Sequence, residues 1–158
     1  MLKVPFVILI LLFIFPGGFL FSSGKSEEKM EADLLQAVEQ NDTVKVKQIL
    51  DKAPHITELT GEQVTAICHA ITFGYAEIIN LFVAHGLNFH GKDSSKEAIV
   101  QKAVKEMKQN PEIIRILINA GARLDFFKGD IGMSPLSYAV CNDYYEIMDT
   151  FYLSLIGK

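Results

Sequence analysis

The side chains of this chain best suited to metal binding or nucleophilic chemistry are His55, His69, His85, His90, Cys68 and Cys141. His85 and His90 flank a short stretch, HGLNFHGKD, with Asp93 close by. Imidazoles and a carboxylate are good zinc donors, but a metal site needs its ligands to converge on one point. A glycine-bearing stretch of this kind reads more simply as polar residues of a solvent-facing turn. The sequence holds no Walker A loop, no GxSxG, no HExxH and no GxGxxG, so the usual nucleophile, phosphate-cradle and zinc geometries have no carrier. No catalytic residue, cofactor-binding residue or metal ligand is assigned, and the expectation is a protein that is not an enzyme.

Such side chains need a scaffold, and composition bounds it. The chain has 158 residues, 49% hydrophobic and 22% charged, with a net charge of −4. That is one ordinary domain. It is too apolar and too weakly charged for general disorder. It lacks the basic excess that neutralises phosphates, which disfavours nucleic acid as a partner. Two cysteines exclude a disulfide-dense miniature fold.

The composition divides the chain in two. Residues 1–24 hold 5 of the 11 phenylalanines and a single charge, Lys3. Residues 25–158 carry 19 acidic and 14 basic side chains, a balance of −5. Within the first part, Val4 to Phe21 is uncharged for 18 residues, just enough for a helix to span a hydrocarbon core. Pro16, Gly17 and Gly18 interrupt it, and Ser22 and Gly24 would suit positions −3 and −1 of a cleavage site. Residues 1–24 are therefore expected to be a signal peptide or a single transmembrane anchor, a hydrophobic N-terminal helix in either case. A weak positive-inside argument from Lys3 puts the remainder outside the cytoplasm, in the periplasm if the source is bacterial. Residues 25–33 are polar and read as a tether or as the first turn of a capping helix.

The body repeats itself. Small alanines recur inside short apolar segments at Ala37, Ala70, Ala103 and Ala139, spaced 33, 33 and 36 residues apart. A second apolar segment follows each: VKVKQIL, AEIINLFV, PEIIRILI and YEIMDTFY. Ser134-Pro135-Leu136 opens the last unit, and Thr65-Ala66-Ile67 and Ala98-Ile99-Val100 are weaker versions of it. Gly74 stands between two helical segments, where Asn41 and Asp143, residue types that tolerate the left-handed region, stand in other units. Gly121-Ala122 and Gly86-Leu87 close two units. In period and in these positions the chain resembles the ankyrin repeat family, over roughly residues 31–155. The third unit departs from the pattern, with extra residues before Pro111 and around Phe126-Phe127-Lys128.

The resemblance implies an all-α ankyrin-repeat solenoid of helix–turn–helix units. Residues 25–158 form the domain, with repeats at about 31–60, 61–93, 94–129 and 130–158. Ile49, Leu50, Leu81, Phe82, Leu117, Ile118 and Phe151 are expected on the core face of the second helices. A stack places Cys68 and Cys141 two units apart, on the order of 20 Å at roughly 10 Å per packed helix. A disulfide tolerates about 7 Å between Cα atoms, so two free thiols are expected, Cys68 buried and Cys141 exposed. His69 is expected to pack on a helix face.

The resemblance also implies protein recognition through the first helices and the fingers between units. The positions it marks are Phe73, Glu97, Lys105, Ile131, Met133 and Asn142, joined by Phe126 and Phe127 as an aromatic pair at a finger tip, with the folding back of at least one of the two onto the neighbouring repeat as the alternative. The expected partner is another protein, with inhibition of an enzyme (an immunity-type role) as one function and a membrane-anchored scaffold as the alternative. In the last unit Tyr144, Tyr145, Phe151, Tyr152, Leu153, Leu155 and Ile156 exceed what one buried face can hold. A partner chain, self-association or the membrane is expected to cover them.

Overall fold

The computed structural model describes residues 23–53, 59–91, 93–106, 111–126 and 132–156. Residues 1–22, and with them most of the expected signal or anchor helix, lie outside this set, as does His55. Eight α-helices and no strand occur among the described residues: α1 (Ser23–Glu39), α2 (Thr43–Leu50), α3 (Gly61–Phe73), α4 (Ala76–Ala84), α5 (Ser94–Glu106), α6 (Pro111–Asn119), α7 (Pro135–Cys141) and α8 (Tyr145–Ile156). The polar residues 25–33 are helical, not a tether, because α1 already runs from Ser23.

Local chemistry fixes most helix ends. Thr60 and Gln63 form a reciprocal capping box at the start of α3, satisfying two otherwise orphaned N–H groups. Asp42 accepts from the Lys45 N–H at the start of α2. Ser134 does the same for Ser137, with Pro135 in the first turn of α7, where its missing N–H costs nothing.

The turn inside each pair is one recurring device. Asn41, Gly74 and Asp143 all adopt positive φ, at 53°, 75° and 57°. The residue after each one donates its N–H back to the small alanine of the preceding helix: Asp42 to Ala37 at 2.9 Å, Tyr75 to Ala70 at 2.8 Å and Tyr144 to Ala139 at 2.9 Å. This is the six-to-one closure of a left-handed C-cap. The second helices of the middle pairs close the same way, Leu87 to Phe82 and Ala122 to Leu117, across Gly86 and Gly121.

The pairs stack in two layers. First helices pack in the order α1, α3, α5, α7, and second helices in the order α2, α4, α6, α8. Ala37, Ala70, Ala103 and Ala139 are all fully buried at the contacts of the first layer. Backbone bonds tie one connecting finger to the next element, from Phe89 N–H to Ala120 and from Leu136 N–H to Leu124.

The core of the second layer differs from the sequence expectation. Leu50, Phe82 and Leu117 are buried as expected, but Ile49, Leu81, Ile118 and Phe151 are only half-buried. The deep positions are instead Val46, Ile78, Ile79, Ile113, Ile114 and Ile147. The buried stripe runs from turn to turn at three- and four-residue spacing, Ile78 and Ile79 to Phe82 and Ile113 and Ile114 to Leu117, and Leu81 and Ile118 fall just beyond its edge.

Candidate protein-binding face

The first-helix layer carries a shallow groove between α3 and α5. It holds about 370 Å³ and is lined by Val64, Thr65, Cys68, His69, Thr72, Phe73 and Lys102. Phe73 ends α3 and is 56% exposed. Its ring is held, not free. It stacks on Tyr75 with centroids 5.7 Å apart and planes 22° off parallel, and tilts against His69 at 6.1 Å. An exposed aromatic already fixed in orientation has little conformational entropy left to lose when a partner covers it.

The rest of the groove is polar in its rim. Thr65 and Thr72 turn their hydroxyls back to the Gly61 and Cys68 carbonyls. Lys102 pairs with Glu106 at 3.0 Å one turn along α5. His69 Nδ1 is buried without a hydrogen-bond partner, 3.9 Å from Glu39 Oε1. Cys68 is half-buried rather than sealed in the core, because its side chain lines this groove. Burial pushes its thiol up, against the opposing pull of Lys102. Cys141 is exposed, and both thiols are unpaired.

A second concavity lies between the fingers that follow α4 and α6. It holds about 350 Å³, and the first turn of α5 forms its floor. Glu97 and Phe126 both line it. Phe126 does not project from a loop tip. It is half-buried and packs against the core, so it has folded back onto the stack. Phe127 and Ile131 lie outside the described residues. Met133 is half-buried before α7, while Asn142 is exposed at the end of α7 and Lys105 is exposed in the last turn of α5. Phe73 and Lys105 thus sit at corresponding ends of neighbouring first helices, whereas Glu97 and Phe126 belong to the finger cavity.

Two features carried no signal in the sequence. Lys96 is 9% exposed and lines the finger cavity. Charged residues at this depth are rare, and nothing in SSKEAIV separates Lys96 from a surface lysine. His85 is not a plain turn residue. Its Nδ1 meets the Leu81 carbonyl, and its Nε2 meets Asp51 of the preceding helix pair.

The stack ends on an apolar surface. Tyr145, Tyr152, Leu153, Leu155 and Ile156 of α8 are each about 59–64% exposed, while Tyr144 and Phe151 pack partly against the core. Among the described residues no helix is long and apolar enough to cross a membrane, and no group of three or more His, Cys, Asp or Glu could hold a metal ion.

A family model for ankyrin repeats, in three copies, matches residues 34–127. That span runs from within α1 to the finger after α6 and leaves α7 and α8 outside. No curated protein and no solved structure matches the chain.

Proposed function

The chain belongs to the ankyrin repeat family, and from that premise we propose that it is a non-catalytic module that holds a partner protein against its first-helix layer and fingers. Ankyrin repeats are protein–protein interaction modules, so the open question is which face of this chain binds. The observation that carries the reading is Phe73: a 56% exposed aromatic, fixed by stacking on Tyr75, at the mouth of a groove. Aromatics of this kind dominate binding energy when a partner excludes water from them.

The proposal extends to place and role. The uncharged run Val4–Phe21 behind Lys3 supports export or anchoring and an extracytoplasmic body. There the chain would occupy and neutralise a partner enzyme. The second reading is a scaffold held beside a membrane complex by an uncleaved anchor. The mass of the chain isolated from whole native cells separates the two. A mature start near Lys25 favours the neutralising module, and an intact leader favours the scaffold.

The binding face is tested by photo-crosslinking in native cells. A crosslinker at position 73 should trap one partner. The same group at Asn119, exposed at the end of α6 in the second layer, should trap none. Equal yields from both positions would reject the proposed face.

A further inference from the structure

We propose that the finger cavity is a socket for an acidic side chain of the partner, with Lys96 as its counter-charge; this rests on the protein-binding reading above. The cavity has four charged lining residues, and three are already engaged. Asp93 Oδ1 accepts the N–H groups of Ser95 and Lys96 at 2.8 and 3.3 Å, capping α5. Arg123 grips Asp125 with two bonds, Nε to Oδ1 at 2.9 Å and Nη2 to Oδ2 at 3.0 Å, and also feels the charge of Glu97. Glu97 has interactions of its own. Lys96 remains. Its side chain is nine-tenths buried and lines the cavity. None of the ion pairs among the described residues includes it.

A lysine is buried at this depth with a counter-charge or with its ammonium turned toward an opening. Here the opening is the cavity. Phe89, Val100 and Phe126 also line it, so an incoming carboxylate would arrive at a partly apolar wall. An ion pair shielded in that way is stronger than one on open surface. The volume of about 350 Å³ stands at the small end of binding pockets, roughly 300–1,000 Å³. It suits a glutamate together with an apolar neighbour on a partner's chain. On a body with a net negative charge, a cation outside every described ion pair marks a point that an acidic partner segment can approach.

The test is a titration of the full ¹⁵N-labelled chain, held in detergent micelles, with acetyl-Glu-Leu-amide and its isosteric partner acetyl-Gln-Leu-amide. The glutamate peptide should shift the amides of Gly91, Val100 and Ala122 saturably. The glutamine peptide should bind about fivefold more weakly or worse, the difference between a charged and a neutral hydrogen bond. Lys96→Met should erase that preference, and Lys96→Arg should keep most of it. Equal affinity for the two peptides, or shifts confined to other residues, would overturn the socket. Glutarate binding as tightly as the peptide would overturn the partner-segment reading in favour of small free acids. The comparison of two peptides on the wild-type chain decides the matter even if Lys96→Met fails to fold. The crosslink at position 73 reports separately on the binding face, so either idea can fail alone.

Discussion

His85 Nε2 stands 2.8 Å from Asp51 Oδ1, across 34 residues of sequence. Its other ring nitrogen, Nδ1, stands 2.8 Å from the Leu81 carbonyl oxygen. Both partners are acceptors, so only the doubly protonated imidazolium satisfies both. The two hydrogen bonds raise the His85 pKa above its ordinary value of 6.5, with burial and Lys47 opposing. The folded state then holds the proton more tightly than the unfolded chain does. The stabilisation is complete below pH 6.5 and is lost as pH rises through the folded pKa. A series of thermal melts from acid to mildly alkaline pH should show Tm falling as pH rises above 6.5. In His85→Gln that slope should flatten, and an unchanged slope would place the titration elsewhere.

Gly74 and Gly121 share a left-handed backbone but not their surroundings. At Gly74, with φ of 75°, an added Cβ would meet nothing. At Gly121, with φ of 94°, it would stand 2.5 Å from Cε1 of the His90 ring. Gly74→Ala should cost about 1–2 kcal/mol from backbone strain alone. Gly121→Ala should cost more, because the ring must also swing aside. Adding His90→Ala should recover the excess and nothing beyond it. Chemical denaturation of the three variants measures this, and purely additive losses would mean that the ring is already free to leave.

Phe73 and Phe126 look alike in sequence and differ in duty. Phe126 packs on the core, so Phe126→Ala should cost about 2 kcal/mol, below the 3–5 of a fully buried phenylalanine. Phe73→Ala should stay within about 0.5 kcal/mol of wild type, as exposed positions do, while weakening partner capture. A reversal of the two in a melting experiment would exchange their roles.

The two thiols should be distinguishable by rate. Cys141 is exposed, whereas Cys68 is half-buried with its thiol pushed up by burial. Since the thiolate is the reactive form, a chromogenic disulfide reagent should modify one cysteine at least tenfold faster than the other. Cys141→Ser should remove the fast phase. Loss of the slow phase instead would mean that the groove opens readily around Cys68.

What the sequence could show depended on range. Ala37, Ala70, Ala103 and Ala139 were visible because each sits at the same place in a short, self-contained unit. Asn41 and Asp143 were legible as left-handed turn residues because that preference belongs to the residue itself. The Asp51–His85 bond was not, because its partners occupy different units and neither has a local pattern around it. Lys96 was hidden for a related reason. Its burial comes from two fingers, one directly before α5 and one beyond α6, that meet over the start of α5 only in the stack. Phe126 stayed open between two orientations, because an aromatic pair in a loop has the same spelling whether it points out or folds back.

The returns from Asp42, Tyr75 and Tyr144 to the alanine carbonyls each close within six residues, whereas neighbouring pairs are joined by side-chain packing and a few backbone bonds such as Phe89 to Ala120. Yet packing between neighbouring units is more extensive than packing inside most of them, α1 on α3 and α3 on α5 above all, so a unit at the edge of the stack, with one neighbour to lean on, is the weakest held. Pulled from its ends, such a body would not snap open as one piece. It would shed its units one after another, each step lengthening the molecule by one unit while the rest stayed folded. A partner that grips the middle of the stack would be the last thing to let go.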